Sequence, residues 1–258
     1  MASTHPADAT REVLPADVRK RNYVIGIIKE VCESSGFEPL ESAGSIRIKS
    51  DQMDTSVEAN AIVAVHETLC RLGVNNFAIY FSHSDVLAGI METVRVPEAL
   101  RPKTFAAIRS FNKFNIEGFV AELQEVGVSE NASTVLAEIF RTTDEILNQE
   151  GNINQTVVSN LLNIVNLDTL TVLGSILRST GRLPVFIDPA LPCESRFDAG
   201  IVMEARTSGL DILGEGGSID RETVFAFSFD IDNIIGLMDT KRLSAFEPAA
   251  SHSVLTLR

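Results

Sequence analysis

The spacing of apolar residues changes along this chain, and that change constrains the fold more than any other feature. Up to about residue 95, stretches with the helical period alternate with stretches in which every second residue is apolar. Between about 97 and 182 the strand pattern gives way to successive helical stretches. Strand patterns return at Val185–Ile187, 200–205 and 223–229. This order predicts an α+β fold, a mixed or antiparallel sheet flanked by helices and carrying a helical insert.

The first helix is predicted from a stripe of four apolar residues at helical spacing, Val24, Ile27, Ile28 and Val31. Gly36 supplies a stop signal after it. Such a stripe serves either as part of the core or as the interface of a homodimer, the commonest oligomer of soluble proteins. The sequence leaves both interpretations open.

The remaining regular elements follow from the same two periods. They are an extended piece at 37–41, a strand at 45–49, a helix with apolar residues from Val57 to Leu72, a strand at 77–81 and a last helix at 231–238. Ser84 precedes another apolar helical stretch, and we expect its hydroxyl to cap that helix.

The length and composition indicate one globular domain. A chain of 258 residues, 45% of them apolar, is long enough to bury a substantial core. Its apolar runs, such as 24–28, which Gly26 interrupts, are too short to span a bilayer, and its first residues lack the apolar stretch of a secretory signal. We therefore expect tails at 1–14 and 246–258 around a single domain at 15–245, whose helical insert covers about 97–182. We expect a cytoplasmic location and no membrane contact.

The formal charge of −13 repels a nucleic-acid backbone unless basic residues cluster. One small cluster, Arg19, Lys20 and Arg21, lies at the start of the first helix, where it is interpreted as a solvated helical face. The three cysteines and four histidines are scattered, without metal-ligand spacing. We expect no nucleic-acid partner, no metal and no cofactor.

Four segments in a fixed order carry a family pattern. They read LPADVRKRNY (14–23) with GFEPLE (36–41), LAGI (87–90) with FNIEG (114–118), DPAL (188–191) with GIVMEA (200–205), and GG (216–217) with AFSFDIDN (226–233). Together these segments resemble histidyl-tRNA synthetase, a class II aminoacyl-tRNA synthetase. The resemblance implies a class II synthetase-like catalytic-domain fold, with the first segment at a homodimer interface.

Departures from that pattern remove positive charge where the family binds ATP. Cys193 stands where the resemblance implies a phosphate-binding arginine, and Arg196 lies three residues away, about 10 Å along an extended chain. Asp230 and Asn233 stand where a glycine and a second arginine are implied. A carboxylate at that place repels a triphosphate.

A further departure is a missing segment. The resemblance implies the family's second motif, a long hairpin that binds ATP and the tRNA acceptor end, between residues 41 and 46. Only four residues, Ser42 to Ser45, lie there. We also expect no anticodon-binding domain, because only 25 residues (258 − 233) follow Asn233. We therefore expect no aminoacylation and assign no catalytic residue.

The glycine-rich stretch at 214–217 lacks the lysine and the strand-to-helix setting of a phosphate-binding loop. We interpret it instead as the family's tight strand connection. Asp198 and Glu204 form a pair of strand carboxylates, which is more often solvated than catalytic.

These observations predict a non-catalytic synthetase-like paralogue, a regulatory or structural subunit that forms a homodimer and contacts other proteins. The alternative is a sensor of a small ligand, histidine or a nucleotide, similar to the regulatory subunit of ATP phosphoribosyltransferase. A sensor would keep a remnant pocket, for which the candidate residues are Cys193, Phe197, Glu204, Asp220 and Asn233.

Overall fold

The computed structural model of the protein describes most of the chain between residues 15 and 240. The described residues are 15–42, 45–50, 55–109, 116–147, 157, 160–161, 164–191, 200–209, 211–219 and 224–240. The two predicted tails, 1–14 and 246–258, lie outside them, as do three of the predicted pocket residues, Cys193, Phe197 and Asp220.

The described residues form eight α-helices and seven strands. The helices are α1 (Pro15–Ser34), α2 (Thr55–Arg71), α3 (Ser84–Thr93), α4 (Arg101–Arg109), α5 (Ile116–Glu125), α6 (Glu130–Leu147), α7 (Leu167–Thr180) and α8 (Ile231–Thr240). The strands are β1 (Glu38–Ser42), β2 (Ser45–Ser50), β3 (Phe77–His83), β4 (Val185–Ile187), β5 (Ile201–Thr207), β6 (Ile212–Ile219) and β7 (Val224–Asp230). None of these helices is long and apolar enough to cross a membrane.

The strands form one sheet in the order β1-β2-β7-β6-β5-β3-β4. All neighbours are antiparallel except β3 and β4, which are parallel. This is the mixed sheet of the predicted α+β fold. Strands β1 and β2 are neighbours separated by residues 43 and 44, and Ser42 pairs with Ser45. Helices α4 to α7 occupy the stretch where a helical insert was predicted.

Side chains alternate between the two faces of the sheet, and one face carries the core. Phe225, Phe227 and Phe229 on β7 and Ile79 and Phe81 on β3 are fully buried there. Helices α1, α2 and α7 pack against strands of this sheet. The other face carries polar side chains and forms the candidate site.

The apolar stripe of α1 belongs to this core. Val24, Ile28 and Val31 have no exposed surface within the single chain, and Ile27 is partly buried against the same cluster. Within the single chain the stripe is therefore part of the core. A homodimer interface at Val24, Ile27, Ile28 and Val31 remains a prediction.

The glycine-rich stretch is a central strand, which corrects its interpretation as a tight connection. It forms most of β6, between β5 and β7. A Cβ atom on Gly214 would lie 2.5 Å from the ring of Phe227, and one on Gly216 would lie 2.4 Å from the carbonyl oxygen of Ala226. The glycines are needed because β7 and its phenylalanine ring approach the backbone of β6 too closely for any side chain.

Ser84 does not cap α3, contrary to the prediction. The helix begins at Ser84, and the preceding His83 is the cap, with its Nδ1 accepting a hydrogen bond from the Asp85 N–H at 3.1 Å. The Ser84 hydroxyl instead accepts from the N–H of Gly200 at 3.0 Å, and the Ser84 N–H donates to the Gly200 carbonyl at 2.8 Å. The serine therefore joins the start of α3 to the start of β5.

Candidate functional site

The side of the sheet opposite the core, which we call the polar face, carries a row of side chains across five strands. Phe186, Tyr80, Glu204, Glu215 and Ser228 lie opposite one another on β4, β3, β5, β6 and β7. Because opposite residues of neighbouring strands share one face, these side chains form a continuous surface. Two carboxylates are therefore neighbours in the middle of the sheet.

A second row on the same face begins two residues further along β3, at Ser82. Ser82 lies opposite Val202 and therefore on the polar face. Asp188 directly follows β4 and lies beside Ser82, with its N–H donating to the Phe81 carbonyl at 2.9 Å. The Ser82 side chain is 1% exposed, and its hydroxyl has no hydrogen-bond partner among the described residues.

The guanidinium of Arg206 lies over this face and connects both rows. Its Nη2 donates to Asp188 Oδ2, and its Nε lies 3.2 Å from Glu204 Oε1. Its Cζ lies 4.0 Å from the centroid of the Tyr80 ring, which is a cation–π contact. The side chains of Arg206, Asp188 and Glu204 are 12%, 7% and 14% exposed. We call Asp188, Glu204 and Tyr80 the guanidinium box.

The box brings one positive charge together with two negative ones. Burial lowers the pKa of Arg206, but the neighbouring Asp188 and Glu204 carboxylates raise it by more, so that the net shift is upward. The arginine is therefore protonated at every physiological pH. Its single positive charge faces two carboxylates, and the register places two further basic residues, Arg47 and Lys49, at the β2 end of the two rows.

Two predicted pocket residues, Glu204 and Asn233, lie within the described part of the chain. Glu204 is part of the guanidinium box. Asn233 lies at the start of α8, where its side-chain Nδ2 donates to the Ile212 carbonyl at 2.9 Å, and Ile212 pairs with Arg206. Asp230 Oδ1 accepts from the Asn233 N–H at 2.9 Å and therefore caps α8.

Sequence reasoning missed Arg206, Tyr80 and the role of Asp188. The predicted strand at 200–205 ended one residue before the arginine. A usable signal was present, because Glu204 and Arg206 are two positions apart and lie on one face of any strand. Nothing in the sequence marks Asp188 as their neighbour.

The basic cluster at the start of α1 forms ion pairs with α8. Lys20 Nζ lies 2.5 Å from Asp239 Oδ1, and Arg21 Nη1 lies 3.2 Å from Asp232 Oδ1. These ion pairs join the start of α1 to α8, and the solvated helical face remains an interpretation.

No protein-family model and no curated protein sequence matches the chain. Solved structures do share its fold. The histidyl-tRNA synthetase of a Nostoc species matches 94% of this chain and 77% of its own at 13% identity, with a TM-score of 0.71. A histidine–tRNA ligase subunit from Alicyclobacillus acidocaldarius matches 94% of this chain and 99% of its own at 13% identity, with a TM-score of 0.63.

This chain has the histidyl-tRNA synthetase-like fold of a class II catalytic domain. The resemblance found in four sequence segments is thereby confirmed at the level of the fold. The same fold occurs in a Bacillus halodurans protein described as an ATP phosphoribosyltransferase regulatory subunit/histidyl-tRNA synthetase. That structure matches 93% of this chain and 90% of its own at 12% identity, with a TM-score of 0.63.

Proposed function

We propose that this histidyl-tRNA synthetase-like chain is a non-catalytic subunit that acts in the cytoplasm through contacts with other proteins and with a second copy of itself. The observation that carries the proposal is the state of Arg206. Its guanidinium is bound on the polar face by Asp188 and Glu204, two carboxylates of the same chain.

The resemblance to histidyl-tRNA synthetase implies that amino-acid activation would require a triphosphate on this face of the sheet. Catalysis of this kind depends on cations that are positioned before the reaction and stabilise the charge that develops. On the described part of the face, Arg206 is neutralised, and Glu215 adds a further carboxylate beside Glu204. Beside Arg206 a polyphosphate would meet more carboxylates than cations, which weakens the attraction needed for a reactive pose.

The likeness to the Bacillus halodurans protein supports a regulatory role, because its description joins this fold to a regulatory subunit. For this chain we propose the same kind of partner, a catalytic protein whose activity depends on the association. The chain contributes a folded surface to that assembly, and neither nucleic acid nor membrane is proposed as a partner.

The catalytic part of the proposal is tested with purified protein. We expect no ATP–pyrophosphate exchange with histidine, and no heat of binding for ATP in calorimetry. A measurable rate of histidyl-adenylate formation would overturn the proposal, provided that the same rate is lost in an Arg206→Ala variant. Persistence of the rate in that variant would indicate a contaminating synthetase.

The alternative function, a small-ligand sensor, is favoured by the Ser82 hydroxyl. It is buried beside Asp188 and has no partner among the described residues, as expected of a group that receives a ligand. Calorimetry with histidine, ATP and AMP separates the two functions. Binding of histidine or AMP without adenylate formation would favour the sensor.

The homodimer is tested on exposed residues near the first motif. Val18 on α1 is 42% exposed and Leu40 on the edge strand β1 is 47% exposed. We propose that both are buried in the dimer, since an apolar group at an edge strand favours association. A Val18→Glu/Leu40→Asp variant is expected to halve the mass measured by light scattering, whereas Leu167→Asp, at a 76% exposed position of α7, leaves it unchanged. A wild-type monomer would contradict the proposal.

A further inference from the structure

We propose that Asp188, Glu204 and Tyr80 form a binding site for a guanidinium group, and that Arg206 occupies this site in the wild-type chain and closes it to external ligands. The inference is independent of the proposed function, because it concerns what the polar face binds and not whether the protein catalyses a reaction. The class of ligand is a planar cation with a forked set of N–H donors.

The shape of the box fits a guanidinium better than a spherical cation. Asp188 approaches from the end of β4 and Glu204 from β5, so that the two carboxylates contact different nitrogens of the guanidinium, Nη2 and Nε. The Tyr80 ring covers its flat side, with the Cζ atom 4.0 Å from the ring centroid. A planar, delocalised cation makes both kinds of contact at once, whereas an ammonium group makes them singly.

The backbone directs Arg206 into the box. The register between β5 and β6 shifts between Ala205 and Arg206, where Arg206 pairs with Ile212. The extra residue, Leu213, lies on β6, while β5 stays in regular register with β3, where Arg206 pairs with Ala78. Regular alternation along β5 therefore places Arg206 on the same face as Glu204, from which its side chain extends towards Asp188.

The fit of the tethered arginine is incomplete. The buried Nε of Arg206 has no hydrogen bond among the described residues, although it lies 3.2 Å from Glu204 Oε1. The buried Ser82 hydroxyl beside Asp188 is also without a partner there. Because buried polar groups are normally hydrogen-bonded, the Nε shows that the tethered arginine does not fill the box completely, and the Ser82 hydroxyl marks hydrogen-bonding capacity that a free ligand can use.

Removal of Arg206 leaves a preformed cation site. In an Arg206→Ala variant, Asp188, Glu204 and the Tyr80 ring lose their contacts with the Arg206 guanidinium. N-ethylguanidinium replaces the atoms that the substitution deletes beyond Cβ. We expect this compound to raise the thermal unfolding midpoint of the variant by about 3 °C at ten times its Kd. The wild-type midpoint is expected to show no such rise, because Arg206 already fills the box.

The controls separate a specific site from a general salt effect. Ethylammonium at the same concentration has the same charge without the fork, and we expect a clearly smaller rise. Arg182→Ala removes an exposed arginine, and its midpoint is expected to respond to N-ethylguanidinium as the wild type does. Adding Asp188→Asn or Tyr80→Leu to Arg206→Ala is expected to abolish the rise.

A second measurement uses the tyrosine itself. The chain has two tyrosines and no tryptophan, so that Tyr80 is the sole emitter in a Tyr23→Phe background. N-ethylguanidinium is expected to change the Tyr80 fluorescence saturably in the Arg206→Ala variant and to leave it unchanged when Arg206 is present. If Arg206→Ala does not fold alone, Arg206→Met retains the apolar stem, and the guanidinium ion is then the probe.

Equal responses of the wild type and the Arg206 variants, or no response of either variant in both measurements, would overturn the inference. Histidyl-adenylate formation would overturn the proposed function and leave this inference intact. The two failures are therefore distinguishable.

Discussion

At the scale of single residues, the chemistry of this protein depends on buried groups whose neighbours are distant in sequence. Arg206 is held by Asp188, which comes 18 residues earlier, and its guanidinium covers the ring of Tyr80. Burial alone would make such a charge costly, and the two carboxylates offset that cost. The same reasoning, applied to a group without a counter-charge, predicts a dependence of stability on pH.

Cys32 is such a group. It is fully buried in α1, and burial, with a smaller contribution from the Glu33 charge, raises the pKa of its thiol from 9.0 to about 12. The folded state therefore retains a proton that the unfolded state loses above pH 9, so stability falls as pH rises. We expect the free energy of unfolding to lose about 1.4 kcal/mol through this thiol by pH 10. Urea titrations at pH 7 and pH 10 measure this loss, which should be absent from a Cys32→Ala variant.

Two glycines with opposite surroundings provide a second prediction. Gly216 has no space for a side chain, whereas a methyl group added to Gly26, in the middle of α1, would meet nothing within 4 Å. We expect Gly216→Ala to destabilise the fold by about 2 kcal/mol or more through steric overlap, and Gly26→Ala to stabilise it by about 0.5–1 kcal/mol. Chemical denaturation of both variants measures this. Equal effects would show that β7 moves away from β6 at little cost.

At the scale of elements, the junction of α3 and β5 determines where the polar face ends. Gly200 has a φ of 89°, a backbone conformation that favours glycine, and Ser84 binds both its N–H and its carbonyl. A Cβ atom on Gly200 would also lie 2.9 Å from the side chain of Ser218. The start of β5, and with it the position of Glu204, is thus connected to the start of a helix 116 residues earlier.

The contribution of this junction is measured with Ser84→Ala. The substitution removes the acceptor of the Gly200 N–H in a partly buried place, and we expect a loss of about 1–2 kcal/mol in the free energy of unfolding. Thr134→Ala is the matched control, since its hydroxyl bonds to the Glu130 carbonyl on an exposed helical surface and should contribute little. A loss no larger than that of the control would mean that the backbone hydrogen bond between Ser84 and Gly200 is sufficient.

At the scale of the whole molecule, the sheet separates an apolar side from a charged one. The core lies between one face and the helices, while the other face carries Glu204, Glu215, Asp188 and Arg206. The chain as a whole has a formal charge of −13. Long-range repulsion among carboxylates therefore competes with local ion pairs such as those between α1 and α8.

Salt decides which of the two effects dominates. We expect the thermal unfolding midpoint to rise when NaCl is increased from about 20 to about 200 mM, because screening shortens the range of repulsion from roughly 20 Å to roughly 7 Å. Near pH 4.8, the isoelectric point of the sequence, the rise should vanish. A midpoint that falls with salt at pH 7 would show that the local ion pairs dominate.

The fold followed from the sequence to a large extent. Helices and most strands lie where the apolar periods placed them, since Val24, Ile28 and Val31 or the phenylalanines of β7 have to be buried on one side whatever the tertiary arrangement. Strand β6 was missed because its glycines carry no apolar period. Glycine is required at these positions because Phe227 of the neighbouring strand approaches the backbone closely. A contact between two strands cannot be predicted from the local sequence pattern.

The candidate site followed from the sequence only in part. The sequence by itself determined the apolar periods, the family resemblance and the acidic net charge. The first two depend on residues that are near one another in the chain, and the third depends only on composition. Tertiary structure alone decided that Arg206 meets Asp188, Glu204 and Tyr80, and that the stripe of α1 is core. Those outcomes depend on strand order and register, which bring residues from three strands to one place through contacts that are not local in sequence.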